Sequence, residues 1–76
     1  MPRYANLNGD SGVVGYEIGD DWIEVEFERG RYRFYLYTVE SASSEHIRKM
    51  KELAASGAGL NAYINYNVKT MYASKR

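Results

Sequence analysis

The sequence predicts an α+β fold in which a three-stranded antiparallel meander is followed by two helices packed on one face of the sheet. Apolar and polar residues alternate between residues 13 and 39, and apolar residues recur at helical spacing from residue 44 onward. With 76 residues the chain is long enough for one domain, and without cysteine its stability has to come from packing. We expect residues 1–76 to form this single domain, with residues 1–12 as a loop or frayed terminus.

The first strand is expected within VVGYEIGDD, residues 13–21. Its alternation directs Val14, Tyr16 and Ile18 toward the core. Gly15 inside the strand predicts a bulge or a close backbone approach.

The central hairpin carries the strongest strand pattern. Residues 22–28, WIEVEFE, alternate strictly, so one side is apolar and the other carries Trp22 and three glutamates. A two-residue turn at Arg29-Gly30 would lead into RYRFYLYTV. This register places Tyr32, Phe34 and Leu36 on the apolar face, and it gathers a different set on the opposite face: Trp22, Tyr35 and Tyr37, with Arg31 and Arg33 opposite glutamates.

The helices follow a serine-rich segment. Ser44 is the expected N-cap of a helix that runs to about Ser56, and glycines at 57 and 59 end it. A second helix is expected from about Leu60 to Ala73, with Lys75 and Arg76 at its C-terminal end. The predicted core stripes of the two helices consist of Ile47, Met50, Leu53 and Ala54, and of Leu60, Ile64, Val68, Met71 and Tyr72.

Composition narrows the function classes. Ten acidic and ten basic residues cancel, but residues 1–28 hold seven acids and one base, whereas residues 29–39 hold three arginines and no acid. No stretch resembles a secretory signal or a membrane span, so we expect a cytoplasmic protein without membrane association. One histidine and no cysteine predict no metal site, no cofactor and no enzyme activity, with His46 as a packed side chain.

The order of short motifs resembles a known family. It comprises V-x-Y at residues 14–16, x-I-x-V-x-F-x-x-G at residues 22–30, Tyr35-Leu36-Tyr37, a helix, a Ser-x-Gly turn and N-x-x-[IV]-x-x-x-Y with Asn65, Val68 and Tyr72. This order is similar to the KTSC domain, named for its occurrence at the C-terminus of some lysyl-tRNA synthetases. The resemblance runs from about Ser11 to Tyr72 and implies a free-standing bacterial or phage member. The family has no established activity, and the synthetase fusion implies RNA, including tRNA, as a partner.

Two surfaces are candidate binding sites. Trp22, Tyr35 and Tyr37 would form an aromatic platform for unpaired bases, with Arg31 and Arg33 for phosphate; the alternative is that the aromatic pairs only stabilise the sheet. On the second helix Tyr63, Tyr66 and Lys69 would face outward as a basic and aromatic surface, or simply as a solvated helix face. Asn65, Val68 and Tyr72 are expected to be structural. We therefore expect a non-catalytic module that binds RNA; the alternative is a protein interaction or homodimerisation module.

Overall fold

A computed structural model describes residues 3–5, 7 and 12–76, and much of the predicted N-terminal loop lies outside the described residues. Four antiparallel strands form one sheet in the order β1-β2-β3-β4, namely Val13–Ile18, Trp22–Phe27, Phe34–Thr38 and Ser74–Lys75. Between β3 and β4 lie α1 (Val39–Ala42), α2 (Ser44–Ser56), α3 (Leu60–Tyr63) and a π-helical turn (Ile64–Val68). The predicted α+β class is confirmed, with a short fourth strand added to the meander.

The core lies between one sheet face and the helices. Ile23, Val25 and Tyr37 contribute from the sheet, while Ile47 and Met50 contribute from α2. The second helical segment adds three further buried side chains, Leu60, Ile64 and Val68. The predicted inner faces of both helices are thus confirmed over most of their length.

The hairpin register differs from the prediction by one residue. In the structure Trp22 pairs with Thr38, Ile23 with Tyr37 and Val25 with Tyr35. Each β2 residue therefore has a partner one position later along β3 than the sequence predicted, because the connection is longer than a two-residue turn. Since side chains alternate along a strand, Tyr35 and Tyr37 face the core, and Phe34 and Leu36 lie on the outer sheet face. The predicted placement of Tyr32, Phe34 and Leu36 in the core is wrong.

The first strand contains the irregularity expected at Gly15. The β1–β2 register shifts between Val13 and Gly15, so Val13 takes the buried place predicted for Val14. Tyr16 packs against the core as expected, whereas Ile18 is 41% exposed at the end of the strand.

The N-terminal residues that the structure describes are packed against the domain. The Tyr4 amide donates to the Val14 carbonyl at 3.0 Å, and the ring is only 3% exposed. Its hydroxyl accepts a hydrogen bond from the Leu60 amide at 3.2 Å. That amide is at the start of α3, where no side chain caps the helix, so Tyr4 satisfies one of its unpaired donors. Tyr4 has no regular secondary structure, in line with a loop, but its ring is part of the core.

The helical segment begins one turn earlier than predicted. Thr38 and Ser41 form a reciprocal capping box at the start of α1, with bonds of 3.0 and 3.1 Å. Ser43, at a positive φ of 83°, separates α1 from α2 and is the N-cap residue predicted one position later at Ser44. Gly57 ends α2 in the left-handed conformation, as the sequence predicted.

The second predicted helix is wrong beyond residue 68. The α-helix lasts one turn and continues as the π-helical turn, after which the chain leaves the helix and returns to the sheet as β4. The Asn67 side chain donates to the Tyr63 carbonyl at 3.2 Å, which is one way in which asparagine weakens a regular helix. Arg76 then bonds through its backbone to Phe34 and Arg33 of the neighbouring chain segment. The C-terminal residues therefore widen the sheet and do not extend the helix.

Candidate functional site

A cleft of about 480 Å³ lies between the β2–β3 connection and the π-helical segment. Ligand pockets typically have volumes of about 300 to 1,000 Å³, so this cleft has the size of a small-ligand site. It is lined by aromatic rings from the sheet, the connection and the segment before β4, namely Phe27, Tyr32, Tyr35, Tyr37 and Tyr72.

The rings lie in fixed relative positions. Tyr35 makes edge-to-face contacts with Phe27 at a centroid distance of 5.3 Å and with Tyr72 at 5.2 Å. Tyr37 is 1% exposed, and this burial, with smaller effects of Tyr35 and Tyr72, raises the pKa of its phenol well above the ordinary value. The wall of the cleft on the side of the sheet is thus aromatic.

The rest of the lining is basic or polar. Arg29 and Arg31 come from the β2–β3 connection, and Lys69 follows the π-helical turn. Gly30, between the two arginines, has a φ of 115°, a conformation that glycine adopts without steric cost. Asn65 and Thr70 complete the polar part, and among the residues that the structure describes no acidic residue lines the cleft. The cleft therefore combines aromatic surface with three cations.

Lys75 supplies a fourth cation at the same place. Its ammonium lies 4.6 Å from the ring centroid of Tyr32 and 5.1 Å from that of Tyr72. A hydrogen bond to the Tyr72 side chain raises the pKa of the Lys75 ammonium, with burial acting in the opposite direction. These two rings are thus in contact with a cationic side chain.

Six of the residues singled out from the sequence line this cleft. They are Arg31, Tyr35, Tyr37 and Lys69, predicted as binding residues, together with Asn65 and Tyr72, predicted as structural. Asn65 is exposed, while Val68 is fully buried in the core.

The predicted aromatic platform does not form. Trp22 lies on the outer sheet face, opposite to Tyr35 and Tyr37, because of the one-residue difference in register. Its indole covers Gly19 so closely that a Cβ atom at residue 19 would overlap the ring. Arg33 also lies outside the cleft and forms an ion pair with Glu26 at 3.3 Å.

Tyr63 and Tyr66 also lie away from the cleft lining. The Tyr63 hydroxyl is 2.6 Å from His46 Nδ1, and burial, followed by the negative charge of Glu45, raises the pKa of this phenol. Tyr66 is 87% exposed. Lys69 lines the cleft and the two tyrosines do not. The predicted basic and aromatic surface of Tyr63, Tyr66 and Lys69 is therefore not one site in the structure.

Sequence reasoning missed Arg29, Tyr32, Thr70 and Lys75. Arg29 was assigned to a tight turn and Tyr32 to the core, because a short connection fits the glycine at residue 30. Lys75 was assigned to a helix end. The signal that was available is the basic segment at residues 29–33, where three arginines and a tyrosine surround one glycine.

No family model, curated protein or solved structure matches the chain. The fold thus defines the class, a small α+β domain with an aromatic and basic cleft. Within the described residues, no helix is long and apolar enough to cross a membrane. The same residues contain no group of three or more histidine, cysteine or acidic side chains that could hold a metal ion.

Proposed function

We propose that this domain is a non-catalytic module that binds single-stranded RNA through the cleft. The observation that supports the proposal is the lining itself, which in the described part of the chain consists of five aromatic side chains, three cations and no acid beside the smaller residues. Aromatic rings and cations are the two components with which proteins bind unpaired nucleic acid, since rings stack on bases and cations bind phosphates. The resemblance to the KTSC family, with its members fused to lysyl-tRNA synthetases, favours RNA as the nucleic acid.

The energetics of the ring surfaces favour a base as the group that contacts them. Stacking of a base on an aromatic side chain contributes about 1 to 3 kcal/mol. The exposed contacts that Lys75 makes with Tyr32 and Tyr72 are of a kind that contributes about 0.5 to 1 kcal/mol each. A base can therefore replace the ammonium on a ring without a net loss. The displaced ammonium remains beside the cleft, where it adds to the charge that attracts phosphate.

The cations of the cleft make an external cation an unfavourable ligand. Aromatic rings around an ammonium can also form a site for a quaternary ammonium group. Here Arg29, Arg31 and Lys69 would repel such a ligand, and the described lining residues include no carboxylate that would offset their charge. An anion that carries a flat ring fits both components.

The test is RNA titration by fluorescence anisotropy, comparing two double variants of equal charge. Arg31→Gln with Lys69→Gln removes two cations of the cleft. Arg48→Gln with Lys49→Gln removes two exposed cations that line a separate depression on α2. We expect the cleft variant to bind at least about tenfold more weakly, since each charge-assisted hydrogen bond contributes about 1.5 to 3 kcal/mol.

The control variant should bind within about twofold of the unmodified domain, because a twofold change corresponds to only about 0.4 kcal/mol. Equal weakening in both double variants would show that net charge, and not the cleft, determines binding. Absence of RNA binding even at low salt would contradict the proposal, because electrostatic attraction is strongest there.

The second candidate function, homodimerisation, has one observation in its favour. The outer sheet face carries Trp22, Phe34 and Leu36, each only half-buried. However, the Arg76 guanidinium lies 4.6 Å from the Phe34 ring centroid and pairs with Glu24 at 3.3 Å, so charged groups already occupy part of this face. Light scattering at increasing protein concentration tests this candidate. A molecular mass that remains that of the monomer would exclude it, whereas a dimer that Leu36→Lys dissociates would support it.

A further inference from the structure

We infer that the cleft accepts one nucleotide unit, a base with a single adjacent phosphate, and does not follow a stretch of RNA backbone. This inference rests on the RNA-binding function proposed above and specifies the part of the RNA that is bound. The unit can be a free nucleotide or one nucleotide of a chain, because both present the same base and phosphate.

The size of the cleft supports a ligand of this kind. Its volume of about 480 Å³ is in the lower half of the range for pockets that hold one small molecule. The rings and the cations line the same open cleft, and the Arg31 guanidinium lies 5.9 Å from the ring centroid of Tyr32. A base on the rings would thus place its own phosphate near the cations.

On the outer sheet face, opposite to the cleft, two further arginines are held in ion pairs. Arg33 pairs with Glu26, and Arg76 pairs with Glu24, both at 3.3 Å. These glutamates are partly buried, with side-chain exposures of 24% and 16%, so they remain close to the arginines. An RNA strand that continued from the cleft onto the outer sheet face would meet paired charges and the glutamates themselves, which would repel its phosphates.

The helical side also lacks a continuous basic path. Lys51 donates to the Asp20 carbonyl at 2.8 Å. Lys49 lies 4.0 Å from Glu52, and the depression beside it also contains Glu45. Backbone-tracking proteins need a positively charged groove along several phosphates. The cations of the cleft, Arg29, Arg31, Lys69 and the adjacent Lys75, provide such a charge around one position.

The experiment is calorimetric titration of the full chain with adenosine, adenosine monophosphate and oligoadenylates of two, four and eight nucleotides. If one unit binds, the affinity per nucleotide unit should change by less than about threefold from the dinucleotide to the octanucleotide. The logarithm of the binding constant should fall with the logarithm of salt concentration with a slope of about −0.7, the value for one phosphate of a single strand. Adenosine should bind at least about tenfold more weakly than the monophosphate, because it lacks the group that the cations bind.

Lys69→Gln provides the residue-specific test. It should weaken binding of the monophosphate about tenfold and leave adenosine within about twofold, whereas Arg48→Gln should change neither. Comparison of the affinities for the free monophosphate and for the oligonucleotides shows whether the bound unit is a free nucleotide or one nucleotide of a chain.

The possible outcomes separate this inference from the proposed function. An affinity per unit that rises more than about tenfold with length, with a slope of about −2 or steeper, would overturn the inference and leave RNA binding intact. Equal affinity for adenosine and its monophosphate would also overturn it. If neither the monophosphate nor any oligonucleotide binds, the proposed function fails as well.

Discussion

Replacement of Tyr37 by alanine tests the register of the central hairpin, on which the whole cleft depends. Tyr37 is 1% exposed, and truncation of a buried aromatic side chain costs about 3 to 5 kcal/mol. A domain of this length has a free energy of unfolding of about 4 to 11 kcal/mol, so the loss is a large part of the total. Since 1 kcal/mol corresponds to about 4 to 8 °C at this size, we expect the Tm to fall by at least about 12 °C.

Leu36→Ala and Tyr66→Ala are the matched comparisons, measured by urea and thermal unfolding. Leu36 is half-buried on the outer face, so its truncation should cost about 1 kcal/mol. Tyr66 is 87% exposed and should change the free energy of unfolding by less than about 0.5 kcal/mol. Tyr37→Leu keeps part of the buried volume and provides a folded variant if Tyr37→Ala is too unstable to measure. A larger loss for Leu36→Ala than for the Tyr37 variants would refute the register.

Three further predictions concern local contacts and pH. Gly57→Ala should destabilise the fold by more than about 1 kcal/mol, because Gly57 has a φ of 81° and a Cβ there would lie 2.5 Å from the Ala5 Cβ. Thermal unfolding measures this loss, and an unchanged Tm would contradict the prediction. Tyr4→Phe should lower the free energy of unfolding by about 1 to 3 kcal/mol, because it leaves the buried Leu60 amide unpaired. Urea unfolding measures this loss, and a value below about 0.5 kcal/mol would contradict the prediction. Because burial raises the pKa of Tyr37 in the folded state, its stabilising contribution is complete below pH 10 and declines as the pH rises above that value. The free energy of unfolding should therefore fall less steeply above pH 10 in Tyr37→Phe than in the unmodified chain, and identical slopes would contradict this assignment.

The elements with a single consistent pattern could be predicted from the sequence. The strand at residues 22–28 has only apolar residues on one side and three glutamates with Trp22 on the other, so its inner face was unambiguous. The stripe of Ile47, Met50 and Ala54 has no competing face on α2. Gly57 supplied the end of that helix by its own conformational freedom.

The register of β3 could not be predicted, because both sides of the strand are apolar or aromatic. Phe34 and Leu36 on one side compete with Tyr35 and Tyr37 on the other, and alternation alone cannot choose between them. The choice is made by contacts that are distant in sequence, such as the contact of Tyr35 with Tyr72. For this reason the prediction assigned the side chains of β3 to the wrong faces of the sheet. In the structure Trp22 and the two tyrosines therefore lie on opposite faces.

The C-terminal segment was mispredicted for a related reason. Val68, Met71 and Tyr72 have helical spacing, yet only Val68 is fully buried, and Met71 is 41% exposed. The pairing of β4 with β3 depends on backbone hydrogen bonds between residues about 40 positions apart, such as Ala73 to Leu36, and periodicity does not report these. As a result, Lys75 and the wall formed by Tyr72 were not recognised as parts of one site.

The most direct test of the central claim, that the cleft binds RNA, is chemical-shift mapping of the amides during titration with a short single-stranded RNA. We expect the largest changes at residues 29–32 and 65–72, which surround the cleft, and small changes at Trp22 and along α2. The Arg31→Gln, Lys69→Gln variant should lose these changes while keeping its own dispersed spectrum. Changes centred on Trp22 and Leu36 of the outer face, or on the depression beside Tyr63, would contradict the claim.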